Sequence, residues 1–323
     1  MMRASRAVLR ILLRERCARV RVAGRWITAE RLAAYRLAQG CPDLAAGEVI
    51  TVTRRGRVAG VLVARPLAWD TAIFQRRMGA LRWVMASRRV AEATAVYDEL
   101  LRRADDWRRR HRIEHLAVRI AMEDWLLAHR LEATGFQLAD VVLTWQCTSA
   151  PSAPQLPAGC ALRRAVSSDV PVLERIARQA FTVNRFRHDP TLPSDAVDRL
   201  YARWITEACQ GKADAVWVMV SRQTPVGFAT CVRERLSAAP LALASVDLVG
   251  VHPRYQGRGI GTALVRAATR WGLREACVVE LRTQVMNAAG MATYQRAGFA
   301  PAPVGLMAPG GVTLHRSWLP ERS

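Results

Sequence analysis

Short apolar runs alternate with amphipathic segments along the whole chain, a pattern typical of an α/β protein. In the first half, residues 49–53 and 58–64 are rich in β-branched side chains and flank a basic turn with a glycine, which predicts a β-hairpin. Residues 91–112 carry apolar side chains at helical spacing between charged ones, which predicts a helix. The same reasoning predicts strands at 79–86, 115–120 and 141–145 and a helix at 125–134.

The second half repeats this rhythm. Apolar positions at helical spacing predict helices over residues 169–181, 195–209, 261–273 and 288–297. Continuous or alternating apolar runs predict strands over 215–221, 226–232, 241–251, 278–283 and 312–318.

A proline-rich segment separates the halves. Residues 148–159 contain three prolines among small polar side chains, which can sustain neither helix nor strand, so we interpret them as a linker. A short repeat also relates the halves, because residues 131–138 and 294–301 both contain a helix end, a glycine and a phenylalanine. This repeat favours duplicated domains, although a glycine followed by an aromatic is a common way to end a helix.

The composition shows a large excess of positive charge, which bears on the kind of ligand the protein binds. The 323 residues include 48 basic and 27 acidic side chains, for a net charge of +21 shared by both halves, and the seven cysteines include no C-x-x-C pair. The spread of charge suits a phosphorylated ligand better than specific nucleic-acid binding. The cysteines favour reduced thiols in a cytoplasmic protein, without disulfides or structural zinc. No apolar stretch reaches the roughly 18 residues of a membrane span, and we expect a monomer or homodimer.

The most informative stretch comprises residues 249–264. An apolar strand ends at Val251, and a glycine-rich turn then opens an amphipathic helix. Backbone N–H groups in such a turn point inward, and the helix N-terminus adds partial positive charge. Arg254 and Arg258 add cationic side chains that can contact an anion. Every second residue of the turn is a glycine, at Gly257, Gly259 and Gly261, and because glycine has no Cβ a pyrophosphate can come close to the backbone.

Spacing excludes two common phosphate-binding motifs. No lysine follows the glycines as a P-loop requires, and their alternation does not fit G-x-G-x-x-G. The pattern is Q-x-x-G-x-G, from Gln256 to Gly261, and it resembles the coenzyme A pyrophosphate loop of the GNAT superfamily of N-acetyltransferases. The resemblance implies an α/β fold with a mixed sheet and acetyl-CoA as co-substrate. No metal is expected, because no His/Cys/Asp cluster has metal-ligand spacing.

Residues 281–299 extend the resemblance. In GNAT proteins an asparagine at the start of the corresponding helix contacts coenzyme A, and a tyrosine in that helix lies near the thiol sulfur as general acid. Asn287 and Tyr294 occupy these positions. A phenol can protonate a departing thiolate, although Tyr294 can also be read as a packed helix aromatic. The cofactor-binding residues so implied are Val249, Val251, Gln256, Gly257, Arg258, Gly259, Ile260, Gly261, Thr262 and Asn287.

A narrower resemblance concerns residues 180–186, 200–205 and 283–287, which are similar to the dTDP-fucosamine acetyltransferase group. That group acetylates the amine of a nucleotide-linked amino sugar. Its N-terminal half is a degenerate GNAT-like domain with a Trp-Asp-…-Phe motif, and residues 69–74 are similar, although Gln75 stands where the group often has glycine. We therefore expect an unassigned segment 1–48, a degenerate GNAT-like domain 49–147, a linker 148–159 and a catalytic GNAT domain 160–323.

For the general base and for the acceptor site, the sequence offers candidates with alternative interpretations. Asp247 lies on the same face of the strand as Val249 and Val251, which makes it a candidate base, with pairing to an arginine as the alternative. Arg185 is a candidate for binding a substrate phosphate or carboxylate, with a solvated basic run as the alternative.

The sequence thus predicts an acetyl-CoA-dependent N-acetyltransferase that acts on a primary amine by direct attack. A nucleotide-linked amino sugar is the first candidate acceptor. A protein, peptide or small-amine acetyltransferase remains open, as does a non-catalytic acyl-CoA-binding module.

Overall fold

The computed structural model describes residues 2–88, 91–302, 306 and 311–318. Helices of the described residues are α1 (Met2–Arg16), α2 (Ala29–Gln39), α3 (Cys41–Ala46), α4 (Ala68–Phe74), α5 (Ala93–Arg110), α6 (Trp125–Ala133), α7 (Val170–Ala180), α8 (Ser194–Glu207), α9 (Ile260–Gly272) and α10 (Ala288–Arg296). Strands are β1 (Val20–Val22), β2 (Arg25–Ile27), β3 (Glu48–Arg54), β4 (Arg57–Pro66), β5 (Met78–Ala86), β6 (His115–Ile120), β7 (Gln137–Cys147), β8 (Cys160–Arg164), β9 (Ala215–Ser221), β10 (Thr224–Arg233), β11 (Leu243–Val251), β12 (Val278–Gln284), β13 (Ala300–Pro301) and β14 (Gly311–Ser317).

One compact unit contains the chain up to Asp140 together with Leu236–Pro240 and β14. Its sheet has the order β3-β4-β5-β6-β14, and the β5–β6 pair is parallel while its other neighbours are antiparallel. Helix α5 packs on one face of this sheet, in a core that includes Leu62 and Trp107. Helices α1, α2 and α3 pack on Val61 and Val63, whose side chains point to the opposite face because strand residues alternate.

The second compact unit contains Val141–Arg235 and the chain from Leu241 to β13. Its sheet has the order β7-β12-β11-β10-β9-β8, and here β11–β12 is the parallel pair. Helix α9 buries Leu264 and Ala268 against one face. On the other face Phe181, which ends α7, contacts Phe228 of β10 with ring centroids 6.4 Å apart. Both units are therefore α/β with mixed sheets, as predicted.

The repeat detected in the sequence has the same geometry in both units. Gly135 and Gly298 have φ of +87° and +96°, the left-handed conformation that glycine adopts most readily. The following Phe136 and Phe299 are buried, and their N–H groups donate to the carbonyls of Leu131 and Tyr294 at 3.1 and 3.0 Å. The structure thus confirms this helix ending in both units.

All elements predicted in the sequence are present, with ends shifted by a few residues. The predicted hairpin is formed by β3 and β4, and residues 148–159 form no helix or strand, as predicted. Sequence patterns missed α2, β8 and the short elements α3, α4, β1, β2 and β13. The short elements show too few repeats of an apolar period, whereas α2 lies in the segment 1–48 that was left unassigned. No helix of the described residues has the length and hydropathy to cross a membrane.

The compact units do not follow the expected domain boundaries. Residues 1–48, unassigned in the sequence, form α1, α2, α3, β1 and β2, and they belong to the first unit. The boundary lies at Asp140, inside β7, rather than in the proline-rich segment. Strand β14, which was expected in the catalytic domain, belongs to the first unit because it pairs with β6 from Val312 opposite Ile120 to Ser317 opposite His115.

Candidate active site

Strands β11 and β12 pair along only part of their length. Their parallel pairing begins at Leu243 opposite Val278 and stops at Val246 opposite Leu281, although both strands continue. At this point β11 contains an extra residue relative to β10, a β-bulge between Val246 and Val249. A bulge bends its strand, so residues 247–251 keep β10 on one edge and leave the other edge open. We call this open side the strand gap.

Backbone alternation identifies the groups that face the strand gap. The N–H of His252 donates to the carbonyl of Val226 on β10 at 2.9 Å. Since hydrogen-bonded positions alternate in an antiparallel pair, Gly250 also bonds toward β10, whereas Val249 and Val251 face the gap. The carbonyl of Val251 accepts a hydrogen bond from Gln256 Nε2 at 3.1 Å. Peptide N–H groups of Val249 and Val251 therefore point to the side where an extended ligand has room to lie.

The turn after β11 is shaped by glycine. Gly257 and Gly259 have φ of +75° and +78°, and a Cβ built on either meets no described atom within 4 Å. Their conformation and the open space beside them leave the backbone accessible. Gly261 has a different role, because a Cβ there lies only 3.3 Å from Thr293 Cγ2 of α10. The turn is exposed from Gln256 to Gly259.

Helix α9 begins at this turn without a side-chain cap. Its N-cap residue is Gly259, so the first-turn N–H groups have no side-chain acceptor, and thirteen residues of helix lie behind them. Uncapped N–H groups at the positive end of a helix bind anions. Arg254 and Arg258 are exposed beside the turn. This arrangement fits a pyrophosphate, and the residues it brings together are those predicted from the sequence, Gln256, Gly257, Arg258, Gly259, Ile260, Gly261 and Thr262.

Tyr294 lies in α10 and packs against the core of the second unit. Burial raises the pKa of its phenol to about 12, while a hydrogen bond with the Thr283 side chain acts in the opposite direction. The phenol therefore keeps its proton at neutral pH, as a general acid must.

Asn287 is the N-cap of α10. Its Oδ1 accepts the N–H of Gly290 at 3.0 Å, and its Nδ2 donates to Thr283 Oγ1 at 2.9 Å. This capping role was not predicted from the sequence, and neither was the hydrogen bond to Thr283, which is buried in β12. A hydroxyl at a buried strand position four residues before the N-cap residue was the signal that the sequence offered.

The two remaining candidates lie on other elements. Asp247 is exposed at the bulge of β11, and its Oδ1 accepts a hydrogen bond from Ser245 Oγ at 2.6 Å. Arg185 lies between α7 and α8, with its guanidinium carbon 4.5 Å from the centroid of the Phe186 ring. Among the described residues no acidic partner is found for Arg185, which leaves its charge available to a ligand.

The first unit has the same strand geometry. Pairing of β5 with β6 stops at Leu81 opposite Val118, and β5 has an extra residue between Arg82 and Met85. The N–H of Ser87 donates to the carbonyl of Ala59 at 2.7 Å, as that of His252 does to Val226. Strands β5 and β6 therefore diverge as β11 and β12 do. The sequence did not predict this similarity, because the first half has no glycine-rich turn after β5.

In this unit the last residue of α1 contacts the end of β5. Arg16 donates to the carbonyl of Ala86 at 3.0 Å, to the Tyr97 hydroxyl at 2.8 Å and to Asp124 Oδ2 at 2.7 Å. Asp124 is the N-cap residue of α6, the position that Asn287 has in α10. Arg16 thus joins the end of β5 to the start of α6.

The neighbouring Glu15 contacts the turn after β5. Its Oε2 accepts hydrogen bonds from Ser87 Oγ at 2.9 Å and from the N–H of Arg88 at 3.0 Å. The Glu15 carboxylate therefore accepts hydrogen bonds from Ser87 and Arg88, next to the point where β5 and β6 diverge.

Replacing Arg16 with alanine is expected to destabilise the protein by about 2–4 kcal/mol, because Asp124, Tyr97 and the Ala86 carbonyl lose a shared cationic donor. The Arg16 and Asp124 side chains are only 20% and 12% exposed. Arg14→Ala is the matched control, since Arg14 is an exposed arginine in the same last turn of α1, and it is expected to cost less than about 0.5 kcal/mol. Denaturant unfolding measures both, and equal midpoints would contradict the role given to Arg16.

Comparisons with known proteins agree with this geometry. Residues 173–299 match the model of the acetyltransferase (GNAT) family. The chain is 30% identical over 136 residues to a dTDP-fucosamine acetyltransferase of Escherichia coli O6:H1, an alignment that covers 42% of this chain and 56% of that protein. The alignment thus spans little more than half the length of this curated relative.

Two solved structures resemble the whole chain. A GCN5-related N-acetyltransferase from Sphaerobacter thermophilus has a TM-score of 0.65 at 16% identity, with 98% of this chain and 93% of that chain covered. A tandem GNAT protein from the clavulanic acid biosynthesis pathway has a TM-score of 0.60 at 18% identity, with 99% and 97% covered. At such identities the likeness concerns the fold, and it agrees with two similar units in one chain. Residues 173–299 thus match the acetyltransferase (GNAT) family, and the chain is similar to a dTDP-fucosamine acetyltransferase over part of its length.

Proposed function

We propose that this chain is an acetyl-CoA-dependent N-acetyltransferase whose second unit transfers an acetyl group to a primary amine. One observation carries the proposal: the second unit combines an open strand edge, an uncapped helix N-terminus at a glycine turn and the protonated phenol of a half-buried tyrosine. These features suit the three parts of an acyl thioester. The turn suits its pyrophosphate, the strand edge its extended pantetheine arm, and the phenol its sulfur.

In the proposed reaction the neutral amine nitrogen attacks the acetyl carbonyl carbon, and the carbon–sulfur bond breaks. The strand N–H groups of Val249 and Val251 donate to the amide and acetyl oxygens along the gap and favour developing negative charge. Tyr294 gives its proton to the departing sulfur. Asp247, directly or through water, takes the proton that the nitrogen releases. Much of the rate enhancement comes from holding amine and thioester together.

For the acceptor we propose a nucleotide-linked amino sugar, because the E. coli relative is named for such an acceptor. Arg185 supports this choice, since its guanidinium has no acidic partner among the described residues and is suited to a substrate phosphate. A protein, peptide or small-amine acceptor is the alternative. If no acceptor exists, the chain is an acyl-CoA-binding module.

The proposal is tested by thermal unfolding and by an acetyl-transfer assay. Acetyl-CoA is expected to raise the melting temperature through selective binding to the folded state, whereas NAD and ATP are not. Release of free coenzyme A is then measured with amino-sugar nucleotides, unlinked amino sugars, peptides and small amines. Turnover with the nucleotide-linked sugars alone supports the proposed acceptor. No stabilisation at millimolar acetyl-CoA contradicts the proposal, and stabilisation without turnover on any amine leaves only binding.

A further inference from the structure

Asn184 holds together the turn that follows α7, and its side chain is 2% exposed. Its Oδ1 accepts hydrogen bonds from the N–H groups of Phe186 at 3.0 Å and of Arg187 at 3.1 Å. Its Nδ2 donates to the carbonyl of Phe181 at 3.0 Å. The backbone carbonyl of Asn184 also accepts from the N–H of Arg187 at 3.1 Å, which closes a turn of four residues. One buried side chain thus fixes the backbone on both sides of Arg185.

The orientation of the Asn184 amide follows from these partners. Backbone N–H groups only donate, so the side-chain atom that the N–H groups of Phe186 and Arg187 contact must be the oxygen. The amide nitrogen then faces the carbonyl of Phe181, which only accepts. An asparagine therefore matches this turn, because it combines one acceptor and one donor on a short side chain.

The turn places Arg185 between two buried residues. Asn184 precedes it, and Phe186, which is 7% exposed, follows it. The guanidinium carbon of Arg185 lies 4.5 Å from the centroid of the Phe186 ring, and within the described ranges of the chain no carboxylate pairs with it. Arg187, in contrast, is paired with Asp198. Of these two arginines, Arg185 is therefore the one whose charge is available to an anion.

The chain enters this turn next to the strand gap. Gly250 lies between Val249 and Val251, whose N–H groups face the gap. A Cβ built on Gly250 lies 2.8 Å from the Phe228 ring and 3.5 Å from the Cβ of Ala180, the last residue of α7. The end of α7 therefore packs against the stretch of β11 that borders the gap.

Five residues of chain span at most roughly 18 Å, so Arg185 lies within that distance of Ala180. We propose that Asn184 is a positioning residue that holds Arg185 where its guanidinium binds a phosphate of an acceptor whose amine lies at the strand gap. A guanidinium binds phosphate oxygens best through two parallel hydrogen bonds, so its direction determines whether both form. This inference rests on the proposed function and adds to it a residue that determines which acceptors bind.

Asn184→Ala is expected to raise KM for the nucleotide-linked amino sugar about tenfold, because a misdirected guanidinium loses a charge-assisted hydrogen bond. KM for acetyl-CoA is expected to change by less than about twofold, since the glycine turn is a separate segment. Asn184→Ser returns one acceptor for the backbone N–H groups, so its KM is expected to lie between those of Asn184→Ala and the wild type. Arg199→Ala is the matched control, because it removes an exposed arginine from α8 and is expected to keep the wild-type KM.

A double-mutant cycle separates positioning from general damage to the fold. If Asn184 acts through Arg185, Asn184→Ala raises KM for the acceptor no further in an Arg185→Ala background. Equal increases in both backgrounds would overturn the proposal, and so would a wild-type KM in Asn184→Ala. If Asn184→Ala does not fold, Asn184→Ser takes its place in the same cycle.

A second measurement does not depend on turnover. Deoxythymidine diphosphate is titrated calorimetrically into protein saturated with coenzyme A, so that the proposed pyrophosphate turn is already occupied. We expect its affinity to fall about tenfold in Asn184→Ala and in Arg185→Ala. No binding to the wild-type protein, or equal affinity in all three proteins, would overturn the inference, while acetyl transfer to other amines would retain the proposed enzyme. The expected losses of affinity in a protein that transfers no acetyl group would refute the enzyme and retain the phosphate site.

Discussion

Tyr294→Phe is expected to lower kcat by about 100-fold or more at neutral pH while leaving affinity for coenzyme A nearly unchanged. General acid catalysis by a positioned side chain contributes about 10²–10⁴-fold, and phenylalanine keeps the ring that packs against the core while removing the proton. Steady-state kinetics with acetyl-CoA and the best acceptor gives kcat, and calorimetric titration with coenzyme A gives affinity.

The pH profile adds a check on the same residue. Burial raises the pKa of the Tyr294 phenol to about 12, so the group keeps its proton through neutral and mildly alkaline solution. Wild-type kcat is therefore not expected to fall between about pH 7 and pH 10 through loss of this proton. A Tyr294→Phe enzyme with wild-type kcat would remove the acid role, whereas lost coenzyme A binding in that variant would assign Tyr294 to binding.

Gly259→Val is expected to weaken binding of acetyl-CoA by at least about 100-fold. The valine side chain would project into the open space beside Gly259, at the uncapped α9 N-terminus that we propose for the pyrophosphate. Loss of two charge-assisted hydrogen bonds, each contributing about 1.5–3 kcal/mol, accounts for a change of this size. Affinity is measured by calorimetric titration.

Gly159→Val is the matched control for this variant. Gly159 also has a left-handed φ, of +71°, and open space around a built Cβ, but it lies in the turn before β8. Both variants carry about 1–3 kcal/mol of backbone strain, so their stabilities are expected to fall similarly. Only Gly259→Val is expected to lose acetyl-CoA. Wild-type affinity in that variant would exclude the turn as the pyrophosphate site.

The sequence was most informative where a local pattern determines a local structure. The turn from Gln256 to Gly261 could be predicted because its glycines and the helical pattern that follows them are adjacent in the sequence. The bulge in β11 could not be predicted in this way, since it depends on the register with β10, a strand some twenty residues earlier. The contact of Thr283 was missed for a similar reason, because its hydroxyl accepts a hydrogen bond from Asn287 at the start of the next helix.

The first unit shows most clearly that contacts between distant residues cannot be predicted from a local sequence pattern. Its diverging strands follow from pairing between β5 and β6, and Arg16 reaches Asp124 across 108 residues of sequence. Only the fold brings these groups together, so a sequence pattern cannot indicate their contact. The first half also lacks a Q-x-x-G-x-G turn, but this absence gave no sign that Arg16 of α1 contacts the end of β5.

The position of β14 has a consequence for biosynthesis. Its Thr313 contacts Arg119 of β6 although the two residues are 194 positions apart in the chain. A ribosome must therefore synthesise nearly all of the second unit before the first unit can complete its own sheet. During that interval the edge of β6 lacks its final partner, and an unpaired strand edge is a site of misassembly. The second unit is made in the meantime, so folding of the unit that is synthesised first is expected to finish last.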